Sequence, residues 1–149
     1  MIEIAVNGAC GRMGARIAAL VFEYPELKLV AALERSGNQS IGKDVGLVSG
    51  VGETGIKITM TMNAHADVLI DFSSPESAVA IAEYCARKNI ALVVGTTGLN
   101  AQQHEKIQHF SRQIACLVSP NMSVGVNALF DLVAQASKMV GKEFDIEII

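Results

Sequence analysis

The chain has 149 residues, a length that suits one domain with a substantial buried core. Half of the residues are hydrophobic and 18% are charged, which excludes an intrinsically disordered protein. The net charge is −3 and no run of Lys or Arg stands out, so we expect no nucleic-acid partner. We see no secretory signal and no apolar run long enough to span a membrane, and we therefore expect a cytoplasmic protein without a membrane partner.

The cysteines of this chain are scattered and lack the spacing of a metal site. We therefore expect no metal, and we expect Cys10, Cys85 and Cys116 to be buried, small hydrophobic residues in a reducing compartment.

Short apolar runs alternate with helical patterns along the whole chain, which is typical of a parallel sheet with connecting helices. In the first half, the glycine-rich segment 36–55 interrupts this alternation and is predicted to be a functional or mobile loop. Predicted strands lie at 2–7, 27–33 and 56–60, and predicted helices lie at 12–22 and, as a short turn, at 44–48.

The second half contains clear helix-capping signals. Ser74 before Pro75 predicts a helix start, and Asn100 with Gln103 predicts a capping box. Predicted strands lie at 68–72, 91–94, 114–118 and 144–149, and predicted helices run from Pro75 to about Lys88, from Asn100 onward and over 123–140. The fold class predicted from this order is α/β, with a Rossmann-type, doubly wound and mostly parallel sheet.

Gly8, Gly11 and Gly14 form a GxxGxxG motif directly between the first strand and the first helix. Glycines at such a turn let the backbone approach a pyrophosphate, which the N-terminus of the helix attracts. Arg12 lies at that N-terminus and could add a phosphate contact. Three glycines in seven residues also fit a tight turn without a ligand, so the motif alone is weak evidence.

Glu34 lies 20 residues after Gly14, at the end of the second predicted strand. A carboxylate in this place can accept hydrogen bonds from ribose hydroxyls and favours NAD, because it repels a 2′-phosphate. The adjacent Arg35 could pair with that phosphate. We therefore predict that both NADH and NADPH are accepted, the alternative being an exposed ion pair without a role.

Three later segments, 72–75, 95–98 and 119–123, follow predicted strands. Their backbone groups could hold a nicotinamide carboxamide and a small anionic substrate, although each segment also fits ordinary helix capping.

No obvious proton donor lies at a strand end. His65 falls in a predicted loop, while His104 and His109 fall on a predicted helix surface, so we expect all three to be bystanders. No Lys or Tyr takes their place, and we predict no catalytic residue in this chain.

These segments together resemble the family of 4-hydroxy-tetrahydrodipicolinate reductase, formerly called dihydrodipicolinate reductase, of bacterial lysine and diaminopimelate synthesis. Five motifs support this resemblance: VNGACGRMG at 6–14, LER at 33–35, DFSSP at 71–75, VGTTG at 94–98 and PNMSVGVN at 120–127. The last two are rather specific to the family, and the resemblance spans essentially the whole chain.

The resemblance implies hydride transfer from NADH or NADPH to a cyclic dicarboxylate in the intact enzyme. It places Phe72 near the nicotinamide end and implies that Thr97 also touches the substrate. Met122, where relatives often carry Phe, and Cys10, where some carry Gly, are departures that we expect to be tolerated. The implied cofactor contacts are Gly8, Ala9, Cys10, Gly11, Arg12, Met13, Glu34, Arg35, Phe72, Gly95, Thr96, Thr97, Ser119, Pro120, Asn121 and Met122.

The resemblance also implies that a catalytic His and Lys and a substrate and tetramerisation domain lie beyond Ile149. We expect residues 1–143 to form the dinucleotide-binding domain and residues 144–149 to begin the missing domain. This chain should then bind cofactor but be inactive alone. It would be a monomer, or a non-native dimer through an unpaired 144–149 strand, whereas the intact enzyme would be a homotetramer.

The residues alone leave two alternative functions open. The chain could be the cofactor domain of another NAD(P)-dependent dehydrogenase, for amino acids or sugars, or it could be a non-enzymatic, nucleotide-sensing module.

Overall fold

The computed structural model describes residues 1–147, in which six strands form one sheet with parallel pairing throughout. The strand order is β3-β2-β1-β4-β5-β6, so the connections change direction on the two sides of β1. The elements are β1 Ile2–Asn7, α1 Arg12–Glu23, β2 Leu27–Leu33, α2 Val45–Ser49, β3 Ile58–Thr59, β4 Val68–Asp71, α3 Pro75–Lys88, β5 Ala91–Val94, α4 Ala101–Ser111, β6 Cys116–Val118, α5 Val124–Val140 and a 3-10 turn at Gly141–Glu143.

The sheet has an apolar core on each face. Because successive strand residues point to opposite faces, Ile4 and Val6 pack with residues of α1 and α2, whereas Ala5 packs with residues of α3 and α4. Leu69 on β4 is fully buried in the second cluster. These two cores hold the carboxyl ends of β1, β2, β4 and β5 at one edge, which confirms the predicted Rossmann-type fold.

The long glycine-rich segment is organised around one carboxylate. Asp44 caps α2, as the predicted short turn requires, and accepts a hydrogen bond from Gly46 N at 2.8 Å. Its carboxylate also accepts from Thr54 N at 3.1 Å, Thr54 Oγ1 at 2.9 Å and Gly55 N at 2.6 Å. One side chain therefore ties the start of α2 to the end of this segment.

Four predictions, three on strands and one on the cysteines, need correction. The strand predicted at 144–149 is wrong over 144–147, which follow the 3-10 turn without a sheet neighbour to supply hydrogen bonds; Ile148 and Ile149 lie outside the described residues. The strands predicted at 56–60 and 114–118 are shorter than expected, because only Ile58–Thr59 and Cys116–Val118 pair with neighbouring strands. Among the cysteines only Cys85 is fully buried, since Cys10 lies in the loop after β1 and Cys116 lies on the edge strand.

Within residues 1–147, no helix combines the length and the apolar character needed to cross a membrane.

Candidate functional site

The loop after β1 is shaped by glycines whose missing side chains make room for backbone. Gly8 has a φ of +78°, and a Cβ at this position would overlap the carbonyl group of Phe72. A Cβ at Gly14 would overlap the carbonyl group of Gly8, so the first turn of α1 lies directly on the loop. Gly11 precedes α1 and provides no side-chain cap. The loop is therefore an open backbone cradle at the positive end of a helix, which is suited to an anion.

Glu34, at the end of β2, is bound to this loop. Its Oε2 accepts a hydrogen bond from Cys10 N at 3.0 Å, and its Oε1 accepts from Arg35 N at 3.1 Å. Each carboxylate oxygen keeps a second lone pair that can accept from a hydroxyl. The exposed Arg35 follows directly and places a cation beside the carboxylate.

A cavity of about 310 Å³ lies between this loop and the start of α3, and we call it the loop cavity. Most of its lining residues are glycines or carry small polar side chains. It is lined by Asn7, Gly8, Cys10, Gly11, Glu34, Arg35, Asn38, Phe72, Ser73, Ser74 and Ser77.

A second cavity of about 590 Å³, the strand-end cavity, lies beyond β5 and β6. Phe72 lines both cavities, and its ring occupies the space that a side chain at Gly95 would need. The strand-end cavity is lined by Met13, Phe72, Gly95, Thr97, Ser119, Pro120, Asn121, Met122 and Ser123.

The segment after β6 is held by its own hydrogen bonds. Ser119 Oγ donates to Asn121 O at 2.9 Å, and Ser123 N donates to Asn121 Oδ1 at 2.9 Å. Asn127 Nδ2 donates to Asn121 O at 3.2 Å and to Ser123 O at 2.8 Å. This wall of the strand-end cavity is thus fixed by hydrogen bonds within the segment and to Asn127 of α5.

Of the sequence-predicted contact residues, all but three line one of these two cavities. Ala9 and Thr96 are buried, and Arg12 is exposed outside both walls. A contact from Ala9 would have to use its backbone, because its side chain packs into the core. The histidines His65, His104 and His109 are exposed and line neither cavity.

The sequence reasoning missed a buried polar network between the two cavities. Asp71 is fully buried at the end of β4, and its Oδ1 accepts from Asn7 Nδ2 and from Ser73 Oγ, each at 2.6 Å. Its Oδ2 accepts from Thr96 Oγ1 at 2.6 Å. Burial raises the pKa of Asp71 above its usual value, and the hydrogen bonds from Ser73, Thr96 and Asn7 offset only part of this rise. The available signal was a polar residue closing each of two apolar strands, Asn7 in IEIAVN and Asp71 in VLID.

No group of three or more His, Cys, Asp or Glu side chains in the described part of the chain could hold a metal ion. The arrangement instead offers backbone N–H groups, a carboxylate and an arginine along a single edge of a parallel sheet. In sheets of this type, ligands bind at the carboxyl ends of the strands, beside the point where the strand order reverses.

Comparison with known proteins identifies the family of this chain. The family described as dihydrodipicolinate reductase, N-terminus, matches residues 2–122. The 4-hydroxy-tetrahydrodipicolinate reductases of Anaeromyxobacter dehalogenans strain 2CP-1 and Citrifermentans bemidjiense are 41% and 40% identical over alignments that cover 100% of this chain. The chain spans 56% and 57% of the length of these relatives.

A solved structure shares the fold. The dipicolinate-bound dihydrodipicolinate reductase from Paenisporosarcina sp. TG-14 has a TM-score of 0.72 and 21% identity, and the match covers 91% of this chain and 53% of that chain.

Proposed function

Since the chain belongs to the family described as dihydrodipicolinate reductase, N-terminus, we propose that it binds both NADH and NADPH along the carboxyl edge of its sheet. The observation that carries this proposal is the cradle after β1. Side chains at Gly8 or Gly14 would overlap backbone there, and the uncapped N-terminus of α1 opens onto the same place. These features fit the pyrophosphate of a dinucleotide.

The loop cavity would hold the adenosine side of the cofactor. Glu34 is positioned by Cys10 N and can accept further hydrogen bonds from ribose hydroxyls. Arg35 lines the same wall and can pair with a 2′-phosphate, which NADPH carries and NADH lacks. This pair of residues supports the use of both cofactors.

The strand-end cavity would hold the nicotinamide end. Phe72 and Gly95 form one wall, and segment 119–122, which is held by its own hydrogen bonds, forms another. When bound, the reduced cofactor supplies a hydride to a substrate. Thr97 is exposed in this cavity and would contact that substrate.

For the whole protein, we propose reduction of a small cyclic dicarboxylate in lysine and diaminopimelate synthesis, by a cytoplasmic homotetramer. Residues 1–143 would be the dinucleotide-binding domain and residues 144–149 the start of a further domain. The names of the relatives support this activity over another dehydrogenase or a nucleotide sensor. No His, Lys or Tyr lines either described cavity, so we expect the chain to bind cofactor without turnover.

Calorimetric titration with NADPH and with NADH tests the proposal. Arg35→Gln should weaken NADPH binding by about tenfold and leave NADH binding nearly unchanged, because only NADPH carries the 2′-phosphate. Arg112→Gln removes the same charge at the end of α4, outside both cavities, and should change neither affinity. Absence of binding for both dinucleotides would contradict the proposal.

A further inference from the structure

Asp71 combines complete burial with the absence of a cationic partner. Its side chain is 0% exposed, and no Lys, Arg or His within residues 1–147 forms a salt bridge with it. Burying an ionised carboxylate without a counter-ion is costly, so a buried carboxyl group stays ionised only where neighbouring hydrogen-bond donors stabilise its charge.

Donors from three side chains reach this carboxylate, and one of them, Asn7 Nδ2, also donates to Ser77 Oγ at 2.9 Å. Thr96 Oγ1 accepts the N–H of Ser73 at 2.8 Å, which leaves its single hydrogen for Asp71. Ser73 Oγ accepts from Asn7 Nδ2 at 3.0 Å and donates to Asp71. Asn7 Nδ2 can only donate, and it also reaches Asp71. This pattern of donors fits an ionised acceptor.

The network lies at the junction of the two cavities. Phe72, the next residue after Asp71, lines both of them. Thr96 lies between Gly95 and Thr97, which line the strand-end cavity. A charge shielded from water by protein acts over a longer distance than an exposed one, so a charge at Asp71, one residue before Phe72, can act on a ligand in this cavity.

We propose that Asp71 favours a positive charge in the strand-end cavity and thereby makes the chain bind the oxidised nicotinamide cofactor more tightly, relative to the reduced one, than it otherwise would. The oxidised nicotinamide ring is a cation and the reduced ring is neutral, while the rest of the cofactor has the same charge in both forms. The inference rests on the proposed function, which puts the nicotinamide in this cavity. Asp71 acts here through its field, as a residue that tunes affinity.

The test compares dissociation constants of NADP⁺ and NADPH for the unaltered chain and for Asp71→Asn. The ratio of the NADP⁺ constant to the NADPH constant should rise by about threefold to tenfold in the variant, since Asn keeps the shape but not the charge. Glu76→Gln is the matched control, because it removes one negative charge five residues further along, in the exposed first turn of α3. Its ratio should stay unchanged.

The outcomes separate the two proposals. If Asp71→Asn weakens both forms equally, or changes neither, Asp71 is only structural and this inference fails while the proposed function stands. If the unaltered chain binds neither form, the proposed function itself fails.

A second measurement covers the case in which Asp71→Asn does not fold. In the unaltered chain, the carboxyl ¹³C resonance of Asp71 is titrated in the NADP⁺ complex and in the NADPH complex. Because coupling between two sites is reciprocal, the pKa of Asp71 should be lower in the NADP⁺ complex. Equal pKa values in the two complexes would overturn the inference.

Discussion

The loop after β1 and the helix α5 are specified in opposite ways. At the loop, Gly8 and Gly14 admit no side chain because backbone of other segments fills the space. In α5, by contrast, none of the 17 residues is buried, although its apolar side chains include Leu129, Phe130 and Leu132. Local signals define α5, with Ser123 as the cap at its start and Gly141 at its end. The loop is thus fixed by tertiary packing and α5 by its own sequence.

The difference teaches where the stability of this chain resides. An isolated helix of this length is only marginally stable in water, so a helix without a buried face adds little to the free energy of unfolding. The sheet and its two apolar cores must supply most of that free energy, and the cofactor cradle belongs to this part.

The largest expected contrast comes from adding one methyl group to a glycine in each region. Gly14→Ala should lower the free energy of unfolding by about 3 kcal/mol or more, because its Cβ would overlap the carbonyl group of Gly8. Gly125→Ala, in α5, should raise it by up to about 1 kcal/mol, because Ala favours a helix over Gly and the nearest atom to the new Cβ is Ser123 Oγ at 3.9 Å. Urea unfolding measures both, and equal effects would remove the contrast.

Truncating one leucine in each region should give a somewhat smaller contrast. Leu69→Ala should cost about 2 to 5 kcal/mol, because the side chain is fully buried on β4. Leu132 is 62% exposed on α5, and Leu132→Ala should change stability by about 0.5 kcal/mol or less. A large loss for Leu132→Ala in thermal unfolding would show that α5 has a packing role that its exposure does not reveal.

The smallest expected effect concerns the hydrogen bonds that Asp44 makes within its own segment. Burial acts to raise the pKa of Asp44, but hydrogen bonds from Thr54, Gly46 and Gly55 outweigh it and hold the pKa below its usual value. Asp44→Asn should therefore lower the melting temperature at neutral pH, whereas Glu53→Gln, an exposed neighbour in the same segment, should not.

The stability difference between the unaltered chain and Asp44→Asn should depend on pH. A carboxyl group whose pKa is lower in the folded state contributes stability above its unfolded pKa and loses it as the pH falls through the folded pKa. The advantage of the unaltered chain over Asp44→Asn should hold at neutral pH and shrink in strong acid. A difference that is constant with pH would show that the charge of Asp44 is not the cause.

The contrast between local and tertiary signals also explains what the sequence could predict. The capping box of Asn100 and Gln103 was predictable because its partners are three residues apart, and both of its hydrogen bonds form at 2.9 Å. The Asn7–Asp71 contact joins residues 64 positions apart, and no periodicity indicates such a pair. The apolar pattern of 144–149 predicted a strand, but a strand forms only where a neighbour pairs with it, and none does over 144–147.

Cys10 gives the most direct test of the claim that the cradle after β1 binds a dinucleotide. Its thiol lines the loop cavity, and burial together with the charge of Glu34 raises its pKa, so labelling is slow but measurable at mildly alkaline pH. Cys116 is half-buried outside both cavities and is the internal control, while burial raises the pKa of Cys85 to about 12 and keeps it unreactive.

The measurement is the rate of alkylation at each cysteine, followed by mass spectrometry, with and without saturating NADPH or NADH. We predict that either dinucleotide slows labelling of Cys10 several-fold and leaves the rate at Cys116 unchanged. Labelling of Cys10 at the same rate with and without both dinucleotides would contradict binding in this cradle.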